Sequence, residues 1–130
     1  MKAKDVELFE KVQSQVQQMF NEISTLSKKS PDGPINKFKL KFINEKLRES
    51  NSFLTGAHKP FADFENFDDA NLPTNSDVVL VLSQYLDCLE GFRSANIFQD
   101  KMYNWFWVTD GSTLIRTDPP SRFKKGDVDE

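Results

Sequence analysis

A chain of 130 residues with a net charge of −3 is long enough for one domain with its own core. Its 38% hydrophobic and 28% charged residues match a folded globular protein, and a chain-wide basic footprint for nucleic acid or anionic membrane is absent. One Cys and one His exclude an internal disulfide and a Cys/His metal cluster.

The first residues, MKAKDVELFEKVQ, carry a charge every few positions and do not read as a secretory signal. The longest apolar run, residues 78–82, is far too short for a membrane span. A lone Cys88 fits a reducing compartment, so the expected location is cytoplasmic.

The first element is a helix over about 5–28. Phe9, Val12, Val16, Met19, Ile23 and Leu26 are spaced alternately by three and four, the seam of packed helices. Ser30-Pro31-Asp32-Gly33-Pro34 stops it. The next segment is ambiguous. Lys37-Phe38-Lys39-Leu40-Lys41-Phe42 alternates like a strand but runs into helical composition, and a helix over 36–54 is the expectation. On that helix Phe38 and Phe42 share one face, and Leu40, Ile43, Leu47 and Leu54 share another about 150° away. Two apolar faces imply a helix between two neighbours. Thr55-Gly56 ends it.

Residues 56–75 read as a long connection whose Phe61, Phe64 and Phe67 sit among Asp63, Glu65, Asp68 and Asp69. Thr74 and Asp77 have the spacing of a capping box, with Asn75 as the competing N-cap. A third helix over 76–97 carries a second seam of Val78, Leu82, Tyr85, Leu89 and Phe92. A β-hairpin over about 102–117 closes the fold. Asp110-Gly111 signals a two-residue turn, pairing Trp107 with Leu114 and Trp105 with Arg116. The expected fold is therefore mainly α: an antiparallel three-helix bundle with a C-terminal β-hairpin, one domain over 1–120, then a disordered tail over 121–130.

Four constellations bear on function. Glu7/Glu10 and Asp87/Glu90 are carboxylate pairs one helical turn apart, as a Mg²⁺-dependent all-α hydrolase would need. Their helical projection turns them to water, away from a shared cleft. The acidic loop at 63–69 lacks the spacing and central glycine of a Ca²⁺ loop. Lys37, Lys41 and Arg48 align on the second helix and form a candidate phosphate-binding stripe, with Trp105 available for stacking. The hairpin places Trp105, Trp107, Leu114 and Arg116 on one face, and Trp105 opposite Arg116 permits a cation–π pair. Cys88 lies between Leu86 and Leu89 and His58 lies in a distant loop, so no nucleophile–base pair is indicated.

The function expected is a non-enzymatic protein–protein interaction module. Its partner-binding residues would be Trp105, Trp107, Leu114 and Arg116 on the hairpin, with Phe61, Phe64 and Phe67 in the acidic loop. No cofactor or metal is implied. The two helical seams could also pack between chains as a homodimer. The alternatives are a nucleic-acid accessory protein using Lys37, Lys41 and Arg48, and the Mg²⁺-dependent hydrolase.

Overall fold

A computed structural model describes residues 1–121. Helix α1 spans Ala3–Lys29, α2 spans Lys37–Phe53 and α3 spans Asn75–Ser94. A three-stranded antiparallel sheet follows: β1 Ile97–Gln99, β2 Trp105–Trp107 and β3 Arg116–Thr117, in the order β1-β2-β3. The molecule is a three-helix bundle with a C-terminal hairpin, as expected, and β1 is an addition to it.

The two seams pack on each other within the chain. Val6, Phe9, Val12, Val16 and Ile23 of α1 are buried, as are Val78, Leu82, Tyr85 and Leu89 of α3. α1 makes its most extensive contact with α3 and its next with α2. The Pro31–Gly33 turn is docked on the start of α3: Asn75 N–H donates to the Gly33 carbonyl, Ser76 N–H to the Pro31 carbonyl, and the buried Asn75 amide to the Ser30 carbonyl. Thr74 is the N-cap, with both arms of the capping box formed. Thr74→Ala removes one arm and should destabilise the fold by about 1 kcal/mol in urea melts, with no change in helical content of the native state.

α2 is a helix and not a strand. The Asn36 side chain caps it by accepting from Lys39 N–H, and Leu40, Ile43 and Leu47 bury a continuous stripe. Gly56, at φ +59°, takes the left-handed conformation just beyond its end. Only one of its two apolar faces is covered, however. Phe38 and Phe42 are exposed, so among the described residues no element covers that side of α2.

The connection from α2 to α3 is anchored by its own phenylalanines. Phe61, Phe64 and Phe67 stack edge-on in sequence, and Phe64 also meets Tyr85. The buried Asn44 side chain exchanges two hydrogen bonds with the Phe67 backbone, at 2.9 and 3.0 Å. Asn51 accepts from the Tyr85 hydroxyl and donates to the Glu65 carbonyl. Burial pushes the Tyr85 hydroxyl pKa upward despite that bond to Asn51.

The sheet departs from the expected hairpin in three ways. α3 stops at Ser94, and Ile97–Gln99 pairs with β2 instead of extending the helix. Residues 108–115 form a wide connection, not a two-residue turn, held by Asp110 N–H to the Met1 carbonyl and the Thr109 hydroxyl to the Thr113 carbonyl. The register also moves by one residue. Trp105 lies opposite Thr117, Phe106 opposite Arg116, and Trp107 N–H donates to the Ile115 carbonyl. A one-residue shift turns every side chain of the return strand to the other face. The half-buried Ile115 packs against the core, and Leu114 is left 65% exposed.

Of the tail expected from 121, Ser121 is held by its N–H to Glu90, and residues 122–130 lie outside the described residues.

Candidate interaction surface

The hairpin does not present the surface its sequence suggests. Trp107 is the largest fully buried side chain, 1% exposed, with its ring edge-on to Phe9 and its Nε1–H donating to Glu10 at 3.1 Å. Trp105 is half-buried and packs against the core. Arg116 is exposed, but its guanidinium lies over Phe106 at 6.0 Å and donates to Asn104; the expected pairing with Trp105 is replaced because the register places Phe106 opposite it. Phe61, Phe64 and Phe67 are half-buried against the core. The seven residues expected to bind a partner therefore divide. Trp107 lies in the core, Trp105 and the loop phenylalanines pack against it, and Leu114 and Arg116 reach water.

The carboxylates divide as well. Glu90 does not face water. It receives Arg93 Nε and Nη2 at 2.8 and 2.7 Å, Gln13 Nε2 at 3.1 Å and Ser121 N–H at 3.0 Å. Burial pushes its pKa up, but the Arg93 hydrogen bonds, the Ser121 N–H, the Arg93 charge and Gln13 outweigh burial and hold it at about 2. Arg93, itself buried, also donates to the Thr117 hydroxyl and to the Asp118 and Pro119 carbonyls. The pair straps residues 117–121 across a groove of 680 Å³ between α1 and α3. Glu90's oxygens are thus already occupied, and Glu10 accepts from Trp107. No group of three or more His, Cys, Asp or Glu that could hold a metal occurs among the described residues.

Exposed apolar side chains lie around the sheet, at Phe98, Met102, Tyr103, Val108 and Leu114, and also on α2. Phe38 is 70% and Phe42 38% exposed, and the two rings form an edge-on pair 5.0 Å apart. They border a groove of 330 Å³ between α1 and α2, floored by Met19, Ile23 and Ile43. The sequence showed this aromatic face but gave no sign that it would lack a neighbour. Lys37, Lys41 and Arg48 are all exposed on the same helix. Among the described residues neither Lys37 nor Arg48 has a carboxylate partner, and Lys41 meets only the Phe42 ring at 5.9 Å. The rest of the stripe's surroundings are paired: Lys39 with Glu22, and Lys46 with Glu45 and Glu49.

No protein-family model matches the sequence, and neither a curated protein nor a solved structure matches it. No helix among the described residues is long and apolar enough to cross a membrane.

Proposed function

We propose that the chain is a non-enzymatic protein–protein interaction module, a small cytoplasmic adaptor, and that it meets its partner over Phe38 and Phe42 of α2. The exposure of that aromatic pair carries the reading. Of the other helix aromatics, Phe9 and Tyr85 are fully buried and Phe20, Phe53 and Phe92 are half-buried against the core, whereas Phe38 and Phe42 are exposed beside an open groove. Such a patch is characteristic of interaction sites. The single cysteine supports the compartment.

The test is tagged co-purification from the native cell after nuclease treatment, comparing the wild type with Phe38→Ser/Phe42→Ser. Both side chains are exposed, so the variant should keep its helical circular dichroism. A stoichiometric partner should be lost, with binding weakened at least about tenfold, or about 1.4 kcal/mol. A partner retained by the folded variant would move the interface to another surface. The nucleic-acid reading is favoured by one observation, the exposed and carboxylate-free Lys37 and Arg48. It predicts that nuclease strips all co-purifying material and that binding falls steeply with salt.

A further inference from the structure

We propose that the groove between α1 and α3 is the docking site of this chain's own basic segment, Arg122-Phe123-Lys124-Lys125. The segment would continue the strap of residues 117–121 along the groove, with its cations against the acidic walls and Phe123 against Leu86.

The strap sets the entry point and the heading. Arg93 holds the Thr117 hydroxyl and the Asp118 and Pro119 carbonyls, and Ser121 N–H reaches Glu90, one turn nearer the start of α3. The chain therefore runs antiparallel to α3, and Ser121 itself lines the groove. Ahead of it lie Asp87, Leu86 and Ser83 on α3 and Gln17 on α1. At 1.5 Å per residue the wall from Glu90 to Ser83 is about 10 Å long, and an extended chain covers that in about three residues. Residues 122–125 match this length. The next carboxylate, Asp127, is about 20 Å of extended chain from Ser121 and falls beyond the wall.

Charge selects the same occupant. Glu10, Asp87, Glu90 and Asp118 line the groove, and among the described residues Arg93 is the one cation that does. Glu10 accepts from the Trp107 indole, a neutral donor that leaves its charge in place. Arg122, Lys124 and Lys125 follow the strap directly and carry the opposite sign. A basic segment from another molecule has the same chemistry but must compete with this one. The tether at Ser121 holds the segment at an effective concentration of about 1 mM, so a contact with a dissociation constant of only about 0.1 mM favours the docked form about tenfold.

Trypsin cuts after Lys124 and Lys125, and the cleavage rate follows the undocked fraction when docking is fast. In the full chain both sites should be cut about tenfold more slowly than in a free peptide of residues 117–130. That protection should be lost in Asp87→Lys, a substitution at an exposed position that should leave the helical circular dichroism unchanged. It should also be lost in the unsubstituted protein at about 0.5 M salt. A labelled peptide of residues 120–127 gives a second readout. It should bind Arg122→Glu/Lys124→Glu/Lys125→Glu, whose own segment is repelled from the groove, at about 0.1 mM, and the wild type about tenfold more weakly. Cleavage of the full chain at the free-peptide rate overturns the inference, and so does equal binding of the peptide to both proteins. Protection that survives both Asp87→Lys and salt puts the segment on another surface. Protection that disappears on dilution, with a dimer in sedimentation, overturns docking within the chain and assigns the groove to the segment of a second copy.

Discussion

Arg93→Met should destabilise the protein by about 3–5 kcal/mol, the cost of leaving one charge of a buried pair without its partner. That is a large share of the roughly 5–15 kcal/mol holding a domain together, and it lowers the melting temperature on the order of 10–20 °C. The loss has two sources. Glu90 keeps its charge in a site that has lost its main counter-ion, and the Asp118 and Pro119 carbonyls lose their donor. Glu90→Gln/Arg93→Met separates them. Removing both charges should recover part of the loss, and what remains measures the strap over residues 117–121.

The pH dependence carries a sign that checks the assignment. Glu90 in the wild type titrates at about 2, below its ordinary 4.5. Its contribution is therefore present in full above about pH 4.5 and is lost as pH falls from there through 2. In Arg93→Met the same carboxyl is desolvated without its cation, so its pKa moves upward. Protonation then relieves the variant while it costs the wild type. The stability gap between them should narrow as pH falls from neutral toward 3. A gap that stays constant over that range in urea titrations would mean Glu90 is not the group responsible.

What the sequence made legible depended on how many residues each feature repeats over. The seams of α1 and α3 recur over five or six positions each: Phe9, Val12, Val16 and Ile23 are buried with Met19 half-buried between them, and Val78, Leu82, Tyr85 and Leu89 are all buried. α2 was legible because the stripe of Leu40, Ile43 and Leu47 outweighs the short alternation that precedes it. Strand β1 was not. Three residues that follow a helix without a breaker become a strand only because β2 lies beside them, and Val108 N–H donates to the Asn96 carbonyl to extend that pairing. The hairpin register failed for a related reason. Asp110-Gly111 favours a tight turn locally, but Asp110 N–H is committed to the Met1 carbonyl, 109 residues away in sequence. The Glu90–Arg93 pair carried no signal at all, because two charges on a helix read as solvated until the segment that covers them is in place. The aromatic face of α2 was visible as a pattern, and its exposure was not, since exposure depends on a neighbour that the described residues do not supply.

Trp107→Ala should cost about 3–5 kcal/mol, as expected of a large core truncation, and should be read as a folding defect and not as lost binding. The ring fills space against Phe9 of α1, which itself meets Phe53 of α2 and Phe92 of α3, so the cavity would open where the sheet meets the three helices. Those neighbours are held by three separate elements and cannot collapse together to refill it. Trp107→Phe keeps a ring against Phe9 and loses the donor to Glu10, so it should fall well short of the alanine loss. Fluorescence locates the two indoles independently of stability. Trp105→Phe leaves Trp107 as the emitter, which should be blue-shifted and shielded from iodide. Trp107→Phe leaves the half-buried Trp105, which should be quenched more readily. Equal quenching of both variants would place Trp107 at the surface and restore the hairpin as the binding face. Strong shielding of Trp107 instead makes Phe38 and Phe42 the aromatic residues to mutate when a partner is in hand.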